Sequence, residues 1–244
     1  MIDYKLVCLI FLAFGFNTVK SQNINYKTLL GIEHSNLVGD SLKLEKNTFI
    51  AFEKMKKAAL NDGIKIKVVS GFRDFKRQKE IWNNKFLKFT KENNFSGIDA
   101  INEIIRFSTI PGTSRHHWGT EIDVIDEKYK NEKNPLMSDK YEKDGIFSKL
   151  KKWMDENSEK FGFYLVYTNN PNRAGFEYEP WHYTYLPISK KYLNEFLKID
   201  IIELISKIDI EGKDLFTKNF IEDYFDNNIL QINPLNSRWL GYFR

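Results

Sequence analysis

Ser114-Arg115-His116-His117-Trp118-Gly119-Thr120-Glu121-Ile122-Asp123 is the stretch on which the reading of this chain turns. From Thr120 to Asp126 the residues are rich in β-branched types and alternate, with Ile122 and Val124 facing one way and Glu121 and Asp123 the other, the period of a strand. Gly119 allows a sharp turn just before it, so His116 on the incoming loop can face Asp123 on the strand. A carboxylate that points inward among apolar neighbours needs a cation or a set of hydrogen bonds. The chain has four histidines, His34, His116, His117 and His182, and three of them fall in two unusual neighbourhoods, this one and Glu179-Pro180-Trp181-His182-Tyr183. Two histidines and one aspartate are the donor types with which a hydrolytic zinc site fills three positions and leaves a fourth open for water. The spacing is less defined than His-Glu-x-x-His, and it equally suits a loop histidine beside a solvated strand face. Glu179 stands three residues before His182, and Pro180 argues against a regular strand through both. A turn there would bring the Glu179 carboxylate toward a metal-held water, as a general base requires.

Working outward, residues 45–61 place Phe52, Met55 and Ala59 at helical spacing and end at Asp62-Gly63, a glycine stop. Ile64, Ile66 and Val68 alternate with Lys65 and Lys67 as a half-buried strand entering Ser70-Gly71. Asp74 caps a helix that carries Gln78, Ile81, Trp82, Lys85 and Phe86, and a second helix over Ile98 to Phe107 is broken by Pro111-Gly112. Residues 127–144 are polar and read as a surface loop, followed by an amphipathic helix marked by Ile146, Leu150, Trp153 and Met154. Phe163 to Tyr167 and Trp181 to Tyr185 read as strands, with Trp181, Tyr183 and Tyr185 as packing residues, and beyond Leu186 the pattern is helical. Strands and helices mixed without βαβ alternation predict an α+β fold, a small antiparallel sheet with packed helices.

The first residues have the pattern of an export signal: Lys5, an apolar run from Leu6 to Phe16, then Val19 and Ser21 before a cleavage point at Gln22. The run is shorter than the roughly 20 apolar residues that span a bilayer. We therefore expect a signal peptide at 1–21, a catalytic domain at 22–187 and a helical C-terminal extension at 188–244, in a protein exported to the periplasm or the extracellular space. The mature chain is expected to carry no transmembrane span and to be a monomer. Cys8 is the only cysteine and leaves with the signal, so the mature fold relies on its core, or on core plus metal, rather than on disulfides. Thirty-seven Lys and Arg against 33 Asp and Glu give a net charge of +4, spread along the chain, so no basic arm for nucleic acid is present.

At these residues the chain resembles a known family. Ser114-x-His116-x-x-Gly119-x-x-x-Asp123, followed much later by Glu179-Pro180-Trp181-His182, is similar to the paired signature of the VanY-type D-alanyl-D-alanine carboxypeptidases. Ser70-Gly71-Phe72-Arg73, with Gln78 five residues after the arginine, is similar to a third motif of that family. The resemblance implies the fold shared with the hedgehog signalling domain, one zinc ion held by His116, Asp123 and His182, and Glu179 as catalytic base. It selects His116 over His117, gives Arg73 the task of stabilising the developing oxyanion, and places Ser114 and Gln78 near the bound peptide. The implied substrate is a peptidoglycan stem peptide cut at its D-Ala-D-Ala bond. An L,D-carboxypeptidase, a stem-peptide endopeptidase with the same centre, and a zinc-stabilised wall-binding module without catalysis are the alternatives. Three departures stand out: Asp74 replaces a usual Ser or Thr, Glu121 stands where a small apolar residue is common, and Val166 stands where relatives often carry a basic residue.

Overall fold

The computed structural model describes residues 24–233 apart from 35 and 41, and the export signal expected at 1–21 lies outside the described residues. A short turn of helix, α1 (Tyr26–Leu29), leads to a two-stranded ribbon, β1 (Leu37–Val38) and β2 (Leu44–Glu45). Then come α2 (Lys46–Asn61), β3 (Ile66–Ser70), α3 (Phe75–Leu87), α4 (Gly97–Ile104), β4 (Glu121–Asp126), α5 (Ser148–Asn157), β5 (Phe163–Leu165) and β6 (His182–Tyr185). Three helices follow, α6 (Leu186–Phe196), α7 (Ile201–Ser206) and α8 (Lys218–Tyr224). The capping residues act as their chemistry demands. The Glu45 carboxylate accepts from the backbone N–H of Asn47 and Thr48 at the start of α2, and the Asp74 carboxylate accepts from Arg77 N–H at the start of α3.

β3, β4, β6 and β5 form one antiparallel sheet in that order, with β4 and β6 at its centre. The α+β reading is borne out. The register places Asp123 opposite His182 and Glu121 opposite Thr184, while an irregularity between Val68 and Ser70 puts Ser70 opposite Asp123. Alternation then sorts the side chains. Ile122 and Val124 enter a core with Phe52, Met55, Trp153, Met154, Phe163 and Tyr183, and Glu121 and Asp123 point to the other face.

A second core joins α1, α3 and α4 to the helices that follow the sheet, with Trp82, Ile101, Ile104, Tyr167, Leu193, Phe196 and Tyr224 buried in it. The described residues beyond Leu186 are thus packed against the motif-bearing part of the chain, while 234–244 of the expected extension lie outside the described residues. The Tyr224 hydroxyl accepts from Ile110 N–H, and Asn228 donates to the carbonyl of Ile105. The 127–144 segment is more than a surface loop: Tyr141 is buried in the first core, its hydroxyl donating to the Val124 carbonyl at 2.8 Å, and Leu136 and Met137 turn toward the cleft described below. Its polar composition conceals one aromatic anchor.

Candidate metal and catalytic site

Ser114 precedes a single turn of 3₁₀ helix, Arg115–Trp118, that ends at Gly119 with φ of 68°. A side chain at Gly119 would be doubly excluded, by that left-handed backbone and because its Cβ would lie 2.9 Å from the Glu45 nitrogen. The turn delivers His116 to the face of β4 that carries Asp123, and the β4–β6 ladder sets His182 beside them. The three residues are buried, and one ligand atom from each lies within 4.8 Å of the others. His116 Nε2 is 3.4 Å from Asp123 Oδ2, and His182 Nδ1 is 3.3 Å from Asp123 Oδ1.

The partners of the other ring nitrogens decide which lone pairs face the centre. The Gly71 carbonyl can only accept, so His116 Nδ1 donates to it at 2.7 Å and leaves Nε2 turned toward Asp123. Glu121, which burial disfavours as a carboxylate but which Arg115 and His182 bring down to a pKa of about 2, accepts from His182 Nε2 at 3.0 Å. That leaves His182 Nδ1 toward the centre. Glu121 is itself fully buried and held by Arg115 at 3.0 Å and by the Thr184 hydroxyl at 2.6 Å. The carboxylate that departs from the family pattern therefore orients a candidate ligand, with Arg115 as its counter-charge. Neither residue was singled out for the site from sequence. The alternation that puts Glu121 on Asp123's side of β4 is the signal that could have found it.

His117 faces away from this centre. Its Nε2 accepts from Gly112 N–H and its Nδ1 donates to the Arg73 carbonyl at 2.6 Å, so both nitrogens are occupied in fixing the loop to the strand end of Arg73. Burial pushes its pKa down to about 3.

Glu179 and His182 are joined by a turn in which His182 N–H donates to the Glu179 carbonyl, the break in strand geometry that Pro180 demands. The turn places Glu179 Oε2 3.2 Å from His182 Nδ1. Burial raises the Glu179 pKa, Asp123 adds to the rise, and His182 and Arg73 oppose it. Arg73 reaches the same centre, with Nη2 3.8 Å from Asp123 Oδ2, and donates to Ser70 Oγ at 2.9 Å and Gln78 Oε1 at 2.8 Å. Gln78 is completely buried and donates its own amide to the Thr109 carbonyl, so it stands behind Arg73 and its contribution to substrate contact would run through that arginine. Ser114 lines the cleft directly. The cleft, about 690 Å³, also exposes His116, Asp123, Glu179, His182 and Arg73, with Lys85, Ser108, Phe107 and Met137 around them.

The residues fit a divalent cation on three grounds. Asp123 Oδ1 is buried without a hydrogen bond among the described residues. Three carboxylates converge on His182, Glu121 through the bond to Nε2 and Asp123 and Glu179 beside Nδ1: burial disfavours its charged form, yet these anions hold its pKa well above the usual imidazole range. His116 is the opposite case, since burial and Arg73 lower its pKa and keep it a neutral donor. The cluster thus retains a proton where a metal ion would supply the same positive charge and displace it.

The family model for VanY, D-alanyl-D-alanine carboxypeptidase, matches residues 41–188. A D-alanyl-D-alanine carboxypeptidase of Enterococcus faecalis is 32% identical over 135 residues, which cover 54% of this chain and 44% of that protein's length. A protein of Haemophilus influenzae described as uncharacterized is 36% identical over 89 residues, covering 36% of this chain and 68% of its own. Among solved structures, VanYB in complex with D-alanine-D-alanine superposes with a TM-score of 0.53 at 25% identity, over 69% of this chain and 91% of that one. The chain spans less than half the length of the enterococcal relative, so the match concerns the motif-bearing region. With the family model covering well over half of the sequence, the chain belongs to the VanY D-alanyl-D-alanine carboxypeptidase family.

Proposed function

We propose that this chain is a zinc-dependent D-alanyl-D-alanine carboxypeptidase that removes the last residue of peptidoglycan stem peptides by direct attack of water, with no acyl-enzyme. The observation that carries the reading is the position of Glu179, a carboxylate of raised pKa set 3.2 Å from His182 at the edge of the His116, Asp123 and His182 cluster. A module that only bound wall polymer would have no use for a buried base there. The family description and the D-alanine-D-alanine bound to VanYB support the substrate class. Such a substrate lies outside the cytoplasmic membrane, in keeping with the export signal expected at 1–21, and among the described residues no helix is long and apolar enough to cross a membrane.

His116 Nε2, Asp123 and His182 Nδ1 would hold the metal. A zinc ion bound there supplies acidification of water and polarisation of the scissile carbonyl. Glu179 takes the proton of the attacking water and returns it to the leaving amine, a transfer favoured by a pKa raised toward the working pH. Arg73, held by Ser70 and Gln78, points fixed N–H donors at the oxygen on which charge develops. Asp123 balances that guanidinium, and Ser114 lines the path of the peptide. The expected site lies within 22–187, and the described part of the 188–244 extension backs it through Tyr224, whose ring meets Phe176 of the cleft wall edge-on. Mass analysis of defined pentapeptide muropeptides after incubation tests the reading: release of a single D-alanine is expected, and loss of a residue from tetrapeptides alone would indicate an L,D-carboxypeptidase instead.

A further inference from the structure

Three arginine and lysine side chains line the cleft, Arg73, Arg115 and Lys85, and two of them are already committed. Arg73 donates to Ser70 and Gln78 beside Asp123 and has its remaining donors assigned to the reacting oxygen, and Arg115 is locked to Glu121 and Thr184 under the ring system of Trp118. Lys85 is different. It lies on α3 seven residues after Gln78, two helical turns along the same face, and its half-buried side chain reaches the cleft. Its Nζ donates to Ser108 Oγ at 2.7 Å, and among the described residues no carboxylate lies within ion-pairing distance of it. Burial lowers its pKa and Arg73 adds to the fall, opposed by the more distant fields of Glu179 and Glu103. A half-buried ammonium that meets a neutral hydroxyl and no anion has paid desolvation without a counter-charge, an arrangement that a ligand anion would complete.

Resting on the proposed peptidase reading, we propose that Lys85 Nζ, with Ser108 beside it, binds the free α-carboxylate at the C-terminus of the peptide being cut. Ile81 and Phe107 stand on the same wall and offer apolar surface for a small side chain next to that carboxylate. A cationic stop in the cleft confines cleavage to the end of a peptide. It distinguishes an exopeptidase from an endopeptidase sharing the same metal centre, for which a fixed ammonium at this place would be a burden.

The test compares diacetyl-L-Lys-D-Ala-D-Ala with its C-terminal amide on the full chain loaded with zinc, in wild type, Lys85→Gln and Lys85→Arg. Wild type is expected to prefer the free acid. Lys85→Gln should raise KM for the acid by on the order of 10-fold to 100-fold with kcat little changed, so that the preference over the amide collapses, while Lys85→Arg recovers part of it. An unchanged KM for the acid, or equal losses on acid and amide, would overturn the assignment. Equilibrium titration of the same two peptides into Glu179→Gln, with and without Lys85→Gln, decides the point independently of turnover. Binding of the acid that weakens with Lys85→Gln supports the site even if wild type proves inactive, an outcome that would count against the proposed function alone. Binding that ignores the substitution, or no binding of the acid at all, sinks the site.

Discussion

Glu121 and His182 are joined by a 3.0 Å hydrogen bond from the imidazole Nε2 to the carboxylate, with Glu121 fully buried. The bond fixes which nitrogen of His182 faces Asp123. Glu121→Ala is expected to weaken zinc affinity by about 10-fold to 100-fold, the usual worth of such a partner, measured by competition with a chelator of known affinity. It should also destabilise the fold by roughly 3–5 kcal/mol, because Arg115 is left buried without its anion. Glu121→Ala with Arg115→Met removes both charges and should recover much of the stability but not the zinc affinity. Zinc affinity unchanged in Glu121→Ala would show that His182 needs no such orientation.

Glu179→Gln retains shape and removes the proton acceptor. Turnover should fall by roughly 10²-fold to 10⁴-fold with zinc content unchanged. Because Glu179 acts ionised and burial raises its pKa, the acid limb of kcat/KM should lie above the ordinary carboxylate value of 4.5, with activity present on the alkaline side and lost as pH falls. A pH profile flat down to that value would remove Glu179 from the role of base.

Arg73 and Gln78 should behave as a pair. Arg73→Ala is expected to lower kcat on the order of 10²-fold with fold and zinc intact, as for loss of an oxyanion donor. Gln78→Leu should produce a smaller loss in kcat, since it frees the guanidinium without removing it, and Arg73→Ala should then mask any effect of Gln78→Leu in the double variant. Additive losses in the cycle would mean that Gln78 contacts substrate by itself.

His117 supplies a stability prediction. Its folded pKa is about 3 against an ordinary 6.5, so the unfolded chain binds a proton that the folded chain refuses throughout that interval. The neutral imidazole's contribution is complete above pH 6.5 and is lost as pH falls toward 3, on the order of a few kcal/mol. Urea unfolding across this range should show a shallower pH dependence in His117→Gln than in wild type, with zinc binding retained at neutral pH. Parallel curves for the two proteins would argue that His117 is not held neutral by the fold.

Much of the fold was legible because the period of the apolar residues survives in the sequence. Ile122 and Val124 read inward on β4, Phe52, Met55 and Ala59 read as one face of α2, and Asp74 read as a cap. The candidate site was legible through types rather than neighbours. His116, Asp123 and His182 could be named from donor chemistry and family resemblance, since these residue types have few reasons to be inward. Glu121, Arg115 and Lys85 escaped because their meaning depends on what lies across the sheet or cleft. The pairing of Glu121 with His182 requires the β4–β6 register, and the isolation of Lys85 requires knowing that Arg73 and Arg115 are already engaged. Nor could Tyr141 be placed from a polar loop, where only its hydrogen bond to Val124 reveals an anchor.

The central claim is that peptide hydrolysis depends on a metal held by His116, Asp123 and His182, and reconstitution of the metal-free full chain measures it most directly. Zinc should be titrated into the chelator-stripped protein while D-alanine release from a pentapeptide muropeptide and bound metal are both recorded. Release should rise in proportion to bound zinc and saturate at one ion per chain, whereas His182→Ala should neither retain the ion nor release D-alanine. Full D-alanine release by metal-free protein, or by His182→Ala, would contradict the account.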